Sequence, residues 1–588
     1  MKQVSEEYRL SMVAPLRNNS FVRVTLSNVD TSAAADGEWS SNGQLDRSEF
    51  ATLDYGYDYG ATVATLELNR WLLGSNQIIR PATPHNDGFI SSKISSQGGT
   101  FGETPALTRT FFSPHILPGL TLVFDTRTDE WPRSFTVTYY LGATEVLVVP
   151  LSNVQSNTVV VAAPTTAVDG FVIEFWGMLP RRRPRVEQVL YGAYRRFENR
   201  EISQTQQAHD VDPLTRRPPN ETFSVTIFDP DRQYDFDNPS GIYALVDENS
   251  PIELQHGYEL PNGTIEWLKP DKYLLNAKPS SFNFTATFSG TGLLQSLTRD
   301  FRKGRVGLKN FYDMAEEVLL DAGLFPSPQG ENPWVIDESL RTMTTFAVLP
   351  IEPHMNCLQM IAHACRCRLF TDDDNIIHIT PFSPALTVED AVFTLNFRGI
   401  RKDGQRGTKI DPLRAVNVSR YQYIAGTSTM LYQETTTATF VEATFSSLAQ
   451  NATVQVTGGT LVSSEIYGRA ADITLSAGTK TITITGIPLD ESSVVVSNQV
   501  SDVGEVDEVD NPLITEDSMC VALGNHIAAY LAMRNTYDVD YRGNPELETG
   551  DVLALQTAFS DEVGGLILTN EITFNGSLDG KLKVKKLL

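Results

Sequence analysis

The feature that most constrains this chain is the strand pattern of residues 204–303, where short apolar–polar alternations are separated by turn-forming residues. One alternating run begins at Phe223 and another at Phe282, and the breaks between runs read FDPD, DNPSG, LPNG and SG. Gly, Pro, Asn and Asp at such breaks favour tight turns between antiparallel strands. The stretch therefore predicts a small antiparallel barrel or sandwich, and no general base, nucleophile or ligand set recurs along it.

Length and charge narrow the function classes. A chain of 588 residues predicts about four domains at roughly 150 residues each. It carries 47 Lys and Arg against 72 Asp and Glu, a net charge of −25. A dedicated binder of nucleic acid or anionic membrane normally has a basic face, so this balance argues against both.

Cysteine use and hydropathy indicate the compartment. The sequence has four cysteines, which makes a disulfide framework improbable and fits assembly in a reducing cytoplasm. The first residues, MKQVSEEYRLSMVAP, contain no apolar run of the signal-peptide kind. Since no stretch approaches the ~18 apolar residues of a membrane span, we expect a soluble protein that would leave its cell without a Sec signal.

Helical periodicity is confined to a few segments. A short amphipathic helix is predicted within residues 1–20, ahead of a strand at 21–26. The strongest helical pattern covers 308–323, where one apolar stripe ends at a glycine suited to a helix C-terminus. Further helices are predicted at 355–366 and 517–534.

The order of motifs in 204–303 resembles the first barrel of the hub protein found in tailed-phage tail tips and baseplates. The shared parts are the lead-in DPLTRRP, a strand, the turn DNPSG, the hairpin HGYELPNGTIEW and a strand with Y-x-L. The helix followed by RLFTDDDNIIHI, and the closing GNPELETGD and FNGSLDG, also resemble that family. The resemblance implies a scaffold and not a catalyst.

The predicted fold class is mainly β and multidomain, with two hub β-barrels, a small α/β middle domain and two inserted β-sandwiches. The predicted boundaries are 1–30 for the N-terminal helix and first strand of barrel 1, 35–192 for the first insertion, 193–303 for barrel 1, 304–410 for the middle domain, 411–440 for the start of barrel 2, 441–504 for the second insertion, and 505–588 for a helix and the rest of barrel 2. The first insertion resembles the galactose-binding-like jelly roll of discoidin and carbohydrate-binding modules. Placed in a loop, it would leave barrel 1 continuous in space.

An acidic loop is the candidate metal site. Four carboxylates lie within nine residues and would suit a hard cation such as calcium; they are Asp229, Asp231, Asp235 and Asp237. The glycine and the terminal Glu of an EF-hand are missing, and Asp and Pro are equally ordinary turn formers.

A cysteine and histidine cluster superficially suggests zinc, with Cys357, His363, Cys365, Cys367 and His354. Its spacing matches no closed tetrahedral pattern, and Cys365 shares an apolar stripe that suits a buried thiol. We therefore expect no zinc and no other cofactor.

The candidate carbohydrate-binding residues are Trp131, Arg133 and His85, because turn-like residues surround them. Trp131 is equally well explained as a residue of the sandwich core. The basic run RRRPR at 181–185 could bind nucleic acid or lipid, although a salt-bridging edge toward acidic neighbours suits a chain of this charge better.

The resemblance implies a non-enzymatic structural protein of the virion tail tip, assembled in the host bacterial cytoplasm. Hubs of this family are homotrimers whose two barrels per chain make a pseudo-sixfold ring around the tail axis. The implied partners are other copies of the chain, the distal tail, tail tube and tape-measure proteins, tail fibre or receptor-binding proteins, and phage DNA that passes without specific binding. One alternative is an adhesin that binds a host surface glycan. Another is a tail-associated cell-wall hydrolase, which would need a catalytic domain that the sequence does not reveal.

Overall fold

The computed structural model describes residues 1–45, 48, 50, 53–54, 62–64, 79–81, 88–125, 130–238, 241–327 and 330–588. Strands dominate these residues and form several sheets, which confirms the mainly β, multidomain fold class. Among the helices in this part of the chain, none is long and apolar enough to cross a membrane.

Barrel 1 is an antiparallel unit in which alternate residues of each strand enter one apolar core. Its strands are Ser20–Val29, Gly192–Glu198, Ile202–Asp210, Asn220–Phe228, Pro251–Glu259, Ile265–Trp267, Asp271–Leu275, Ser280–Phe282 and Thr285–Thr291. The helix Glu6–Met12 is capped by Ser5, whose hydroxyl accepts a hydrogen bond from the Tyr8 amide at 3.1 Å. Tyr8 and Met12 are buried in the same core. Two short turns of helix, Tyr243–Leu245 and Leu293–Ser296, complete the unit.

Barrel 2 lies beside barrel 1 and has its own core, which includes Val539, Leu553 and Ile567. Its strands are Phe393–Leu395, Ile400–Lys409, Asn535–Tyr541, Val552–Thr557, Ser560–Phe574 and Leu578–Lys586. The two barrels share one hydrogen-bonded sheet, because strand Ile202–Asp210 pairs antiparallel with Ser560–Phe574. Gln206 lies opposite Thr573 in this pairing.

The first sandwich grows from the tip of a barrel 1 hairpin, where Val29 pairs with Gly192. Two sheets enclose a core rich in aromatic rings, among them Phe135, Phe171 and Phe175. The strands are Glu38–Ser41, Ala106–His115, Val168–Gly177, Ser134–Leu141 and Thr144–Ser152 in one sheet, and Phe89–Ile90, Arg185–Leu190, Leu120–Phe124 and Thr158–Val161 in the other. The helix Thr31–Ala35 and the pair Thr62–Ala64 and Ile79–Pro81 lie in the same segment.

The middle domain packs two helices on a three-stranded sheet. Helix Phe311–Asp321 begins after Asn310, whose side chain accepts a hydrogen bond from the Asp313 amide at 2.8 Å, and the chain turns at Gly323 with a φ of +89°. The other elements are helix His354–Ala364, sheet strands Trp334–Ile336, Cys367–Thr371 and Ile377–Pro381, strand pairs Asp300–Phe301 with Glu352–Pro353 and Lys309–Asn310 with Thr344–Thr345, and 3-10 turns Glu338–Thr342 and Val388–Asp390. Helix Asp517–Leu531 joins the same core through Cys520, Leu523 and Ile527.

The sequence analysis assigned residues 411–440 to barrel 2. In the structure, strand Leu413–Ala425 lies outside the sheet of that barrel. It pairs with Lys480–Gln499 and, in parallel, with Glu505–Val509, and it buries Val416 and Val418 in the middle-domain core. The second sandwich continues from this pairing. Its remaining strands are Thr429–Thr436, Phe440–Thr444, Ala449–Thr457, Leu461–Ile466 and Ala470–Leu475.

Candidate functional site

The shared sheet presents one polar surface that crosses from barrel 1 to barrel 2. Directly paired residues project from the same side of a sheet, so the strand registers identify its members. We call this surface the polar sheet face; it comprises Gln204, Gln206, Thr222, Ser224, Thr226, Thr287 and Ser289 on barrel 1, and Asp538, Asp540, Glu571, Thr573, Asp579, Lys581 and Lys583 on barrel 2. The opposite side of the same strands fills the two barrel cores.

On the barrel 2 half of the face, both lysines stand opposite carboxylates. Lys581 lies between Asp540 and Glu571 on the neighbouring strands, and Lys583 lies opposite Asp538. Asp538 in turn faces Arg406 on strand Ile400–Lys409. Such cross-strand pairs are mutually stabilising, and they leave no long stripe of one sign along these strands.

The barrel 1 half of the face carries hydroxyl and amide groups instead of charges. The hydroxyls of Thr226 and Thr287 are 3.0 Å apart across neighbouring strands. Ser, Thr and Gln side chains occupy the strand positions that face water. The exposed rings of Phe228 and Phe282 lie on the same side at one end of these strands, both in register with Thr285. Together the two halves make a wide surface that is polar except for these rings.

The polar sheet face was missed by the sequence reasoning, although a signal for it is present. In TFSVTI, the polar residues Thr222, Ser224 and Thr226 alternate with the buried residues Phe223, Val225 and Ile227. The alternation predicts a half-buried strand, but it does not reveal that two distant segments, 202–210 and 560–574, form one surface.

The acidic loop forms turns. The carboxylate of Asp229 is nearly buried, and it accepts hydrogen bonds from the amides of Gln233 at 2.8 Å and Tyr234 at 3.1 Å. Asp235 accepts from the amide of Asp237 at 3.1 Å, and Asp231 is exposed. Among the described residues, no group of three or more His, Cys, Asp or Glu side chains is arranged to hold a metal ion.

The candidate sugar residues lie at the edge of the first sandwich. Trp131 is half-buried against the sandwich core, and its indole N–H donates to the carbonyl oxygen of Val154 at 2.8 Å. The guanidinium of Arg133 lies 4.9 Å from the centre of the Trp131 ring. His85 lies outside the described residues. A fourth residue, Trp176, was not predicted from the sequence, and its side chain is 48% exposed.

The cysteines and histidines of the middle domain are held separately. Cys357, Cys365 and Cys367 are buried free thiols, and burial raises the pKa of Cys357 and of Cys367 to about 12. His354 contacts Asp321 at 2.8 Å, and burial lowers the pKa of His363 to about 4. These contacts match packing and ion pairing more closely than metal ligation.

The basic run 181–185 is engaged within the first sandwich. Arg182 lies 2.7 Å from Glu130, and Arg185 lies 3.2 Å from Asp125. These ion pairs agree with the expected salt-bridging edge, although the acidic partners belong to the same sandwich and not to a neighbouring domain.

No protein-family model and no curated protein sequence matches the chain. Among solved structures, the chain is similar to the 43 kDa tail protein of prophage MuSo2 from Shewanella oneidensis, at 11% identity over 65% of this chain and 93% of that one, with a TM-score of 0.36. It is also similar to the tail protein of Neisseria meningitidis MC58, at 10% identity over 66% of this chain and 93% of that one, with a TM-score of 0.37.

A third similar structure is chitosan-binding module 1 of a chitosanase/glucanase from Paenibacillus sp. IK-5, at 6% identity over 26% of this chain and 93% of that one, with a TM-score of 0.18.

Proposed function

We propose that the chain is a structural subunit of a phage tail tip or baseplate: a homotrimeric, non-catalytic hub that closes the distal tail tube, connects it to the host-recognition proteins and lets DNA pass. The observation that carries the proposal is the polar sheet face, which crosses both barrels without interruption. A surface of this breadth, on which each of the two lysines stands opposite a carboxylate, suits the wall of a channel.

The edges of the shared sheet support ring formation. Within the described residues, strand Ser280–Phe282 pairs only with Thr285–Thr291, and strand Ile400–Lys409 pairs only with Asn535–Tyr541. Unpaired strand edges are templates for pairing with another chain. Three copies joined edge to edge would alternate barrel 1 and barrel 2 around a central axis and continue the polar sheet face as the inner wall.

The electrostatics suit passage of DNA. Duplex DNA carries one negative charge per ~1.7 Å, and proteins hold it mainly through Lys and Arg contacts to phosphates. On the polar sheet face Lys581 and Lys583 are each opposed by carboxylates on neighbouring strands. The wall would therefore neither bind the duplex tightly nor present an unbroken acidic barrier.

Assembly is tested by light scattering and electron microscopy of the purified protein. We expect particles of three 65.0 kDa chains with a central opening lined by the polar sheet face. A dimer, or a ring that turns this face outward, would contradict the proposal.

The channel wall is tested by making it basic. The triple variant Asp538→Lys, Asp540→Lys and Glu571→Lys should bind duplex DNA in a salt-dependent manner, whereas the natural chain should not. The matched control moves the same charge elsewhere, with Asp502→Lys, Asp561→Lys and Glu562→Lys at exposed positions. Equal DNA binding by variant and control would show that the polar sheet face has no special role.

An adhesin remains the second candidate, and the observation that favours it is Trp176. This ring is 48% exposed on strand Val168–Gly177, and its indole N–H donates to the hydroxyl of Thr136 at 3.0 Å. An exposed aromatic ring beside hydroxyl groups can stack on a sugar. Loss of host cell-wall binding in Trp176→Ala, with unchanged thermal stability, would support the adhesin.

A further inference from the structure

Barrel 1, the middle domain and barrel 2 meet around a small cavity of about 100 Å³. We call this meeting point the three-way joint. Its lining is rich in acids; it includes His209, Glu221, Asp271 and Tyr273 of barrel 1, Thr371, Asp372 and Asp373 of the middle domain, and Glu548 from the loop before strand Val552–Thr557. The cavity is separate from the polar sheet face.

One buried cation bridges the joint. Lys2 is 5% exposed, and its Nζ lies 2.5 Å from Oδ1 of Asp271 and 3.4 Å from Oδ1 of Asp373. The same ammonium group donates to the carbonyl oxygen of Lys269 at 3.1 Å. Lys2 therefore links a carboxylate of barrel 1 to one of the middle domain.

The negative charges of the carboxylates at the joint are only partly neutralised by cations and hydrogen-bond donors. Asp271 is 5% exposed, and its second oxygen, Oδ2, is buried with no hydrogen-bond partner among the residues that the structure describes. A buried acceptor left unpaired is costly, and more so when it is charged. The joint thus keeps an excess of negative charge around the cavity.

Other charged groups face the joint from each packed element. From barrel 1, Glu221 accepts a hydrogen bond from the hydroxyl of Thr371 at 2.8 Å, and His209 lies 2.7 Å from the Tyr273 hydroxyl, with His256 deeper in the barrel. The remaining contacts are Asp372 with His378 at 2.9 Å, Asp374 with Lys269 at 2.6 Å, and Asp551 with the Met1 amino group at 3.1 Å, beside Glu548.

Burial makes several of these acids harder to ionise. It raises the pKa of Asp373 to about 6; Lys2 opposes this shift, and Asp271 and Glu548 add to it. Burial also raises the pKa of Glu221 and of Asp551 above their ordinary values. Asp271 behaves differently, because Lys2 and His209 outweigh its burial and hold its pKa below the ordinary value.

We propose that the three-way joint is a pH-sensitive clamp, which holds barrel 1, the middle domain and barrel 2 together most firmly in mildly acidic solution and loosens when all its carboxyls are ionised. At higher pH, the buried cation Lys2 faces several carboxylates in a confined space. Proton uptake by Asp373 and Glu221 relieves that repulsion. The 3.4 Å contact of Lys2 with Asp373 then loses its ionic character, while the shorter contact of Lys2 with Asp271, at 2.5 Å, persists. The clamp goes beyond the proposed function and does not depend on it.

The direction of the pH dependence follows from the carboxyls whose pKa is raised in the joint. A carboxyl whose pKa is raised in the closed joint binds protons more readily there than in an opened joint, so falling pH favours closure. For Asp373 the window runs from about pH 7 down to about 4, near the ordinary carboxyl value. Below that window Asp271 is protonated too, and its contact with Lys2 is lost.

Local amide exchange in the full chain tests the clamp. The reporter is the amide of Lys2, which donates to the carbonyl oxygen of Glu546 at 3.0 Å and so ties the N-terminal segment to barrel 2. After correction for intrinsic exchange, we expect the Lys2 amide to exchange about tenfold faster at pH 8 than at pH 5.5. A tenfold change in the opening equilibrium is the effect of a shift of one pKa unit. Protection of core strands should not follow this profile.

The isosteric variant Asp373→Asn should keep the slow exchange at pH 8, since its side chain is neutral at both pH values. Glu221→Gln should keep part of the slow exchange at pH 8, and this variant gives a second, independent measurement. The matched control is Asp374→Asn, which alters an exposed carboxylate of the same hairpin and should behave like the natural chain. An unchanged pH dependence in both Asp373→Asn and Glu221→Gln, or none in the natural chain, would overturn the clamp.

Discussion

The amide of Asp30 donates to the carbonyl oxygen of Tyr191 across 2.9 Å, immediately beyond the pairing of Val29 with Gly192. The first sandwich therefore leaves barrel 1 and returns to it at a single point. Because the two ends are already joined by the barrel's own hairpin, a long insertion costs barrel 1 little in closure entropy.

Removing the first sandwich should leave barrel 1 folded. We expect a chain in which residues 30–191 are replaced by an Asn-Gly turn to keep its β-sheet circular dichroism and its oligomeric state, since Asn-Gly suits a two-residue hairpin. Light scattering before and after the deletion checks this. Aggregation of the shortened chain would mean that sandwich and barrel fold as one cooperative unit.

Trp131 should act through stability. Trp131→Ala removes a half-buried ring and the hydrogen bond to Val154. We expect a loss of about 2–3 kcal/mol in the free energy of unfolding, below the roughly 3–5 kcal/mol for a fully packed Trp because the ring is only half-buried. Denaturant unfolding measures it. A glycan array run on the same variant tests the alternative role. Selective loss of sugar binding at unchanged stability would assign Trp131 to a binding site.

Arg109 should be the costliest single charge to remove from the first sandwich. It is 2% exposed, its Nη1 lies 3.2 Å from Oδ2 of Asp54, and its Nη2 donates to the carbonyl oxygen of Asp36 at 3.1 Å. Arg109→Met leaves these acceptors without their cation, and breaking a buried pair in this way costs about 3–5 kcal/mol. The comparison variant Arg133→Met, at a half-buried position, should cost about 1 kcal/mol or less.

The acidic loop should be indifferent to metal removal. We expect EDTA to leave the melting temperature unchanged, because backbone amides already occupy the carboxylate of Asp229. Asp229→Ala should cost about 1–2 kcal/mol through the lost amide contacts, while Asp237→Ala, at an exposed position, should stay within about 0.5 kcal/mol. A calcium-dependent rise in melting temperature that is abolished by Asp229→Ala would instead support the hypothesis that this loop binds a metal ion.

His256 should make the chain sensitive to acid. It is 3% exposed, its Nε2 lies 2.9 Å from Oε1 of Gln207, and burial lowers its pKa to about 4. The unfolded chain therefore binds a proton more readily, and stability is lost as pH falls from about 6.5 to 4, by up to about 3 kcal/mol from this residue. Urea unfolding across that range should show a shallower loss in His256→Gln, and identical slopes would contradict the assignment.

Local patterns in the sequence predicted the elements that depend on nearby residues. The stripe of residues 308–323 and its closing glycine predicted a helix there, and the helix Phe311–Asp321 is present with its turn at Gly323. Turn residues likewise located the barrel 1 hairpins. In each case the signal comes from residues within a few positions of one another, where periodicity and turn chemistry act directly.

Partners distant in sequence were harder to predict. Strand Leu413–Ala425 has the same alternation as a barrel strand, and nothing within it reveals that its partners are Lys480–Gln499 and Glu505–Val509. The acidic stretch around Glu505 contributes the parallel strand of this pairing. Strand preference reflects packing against neighbours, and those neighbours are set by the whole fold. The polar sheet face escaped notice for the same reason.

The 20-residue strand Lys480–Gln499 serves two units in succession. Its first half pairs with Thr429–Thr436 and Ala449–Thr457 of the second sandwich, and its second half pairs with Leu413–Ala425 over the middle domain. At about 3.3 Å per residue, it extends for roughly 66 Å. One continuous strand therefore connects the core of the second sandwich to the helix Asp517–Leu531, which packs against its second half, so a load on the sandwich would reach that helix through a single run of backbone.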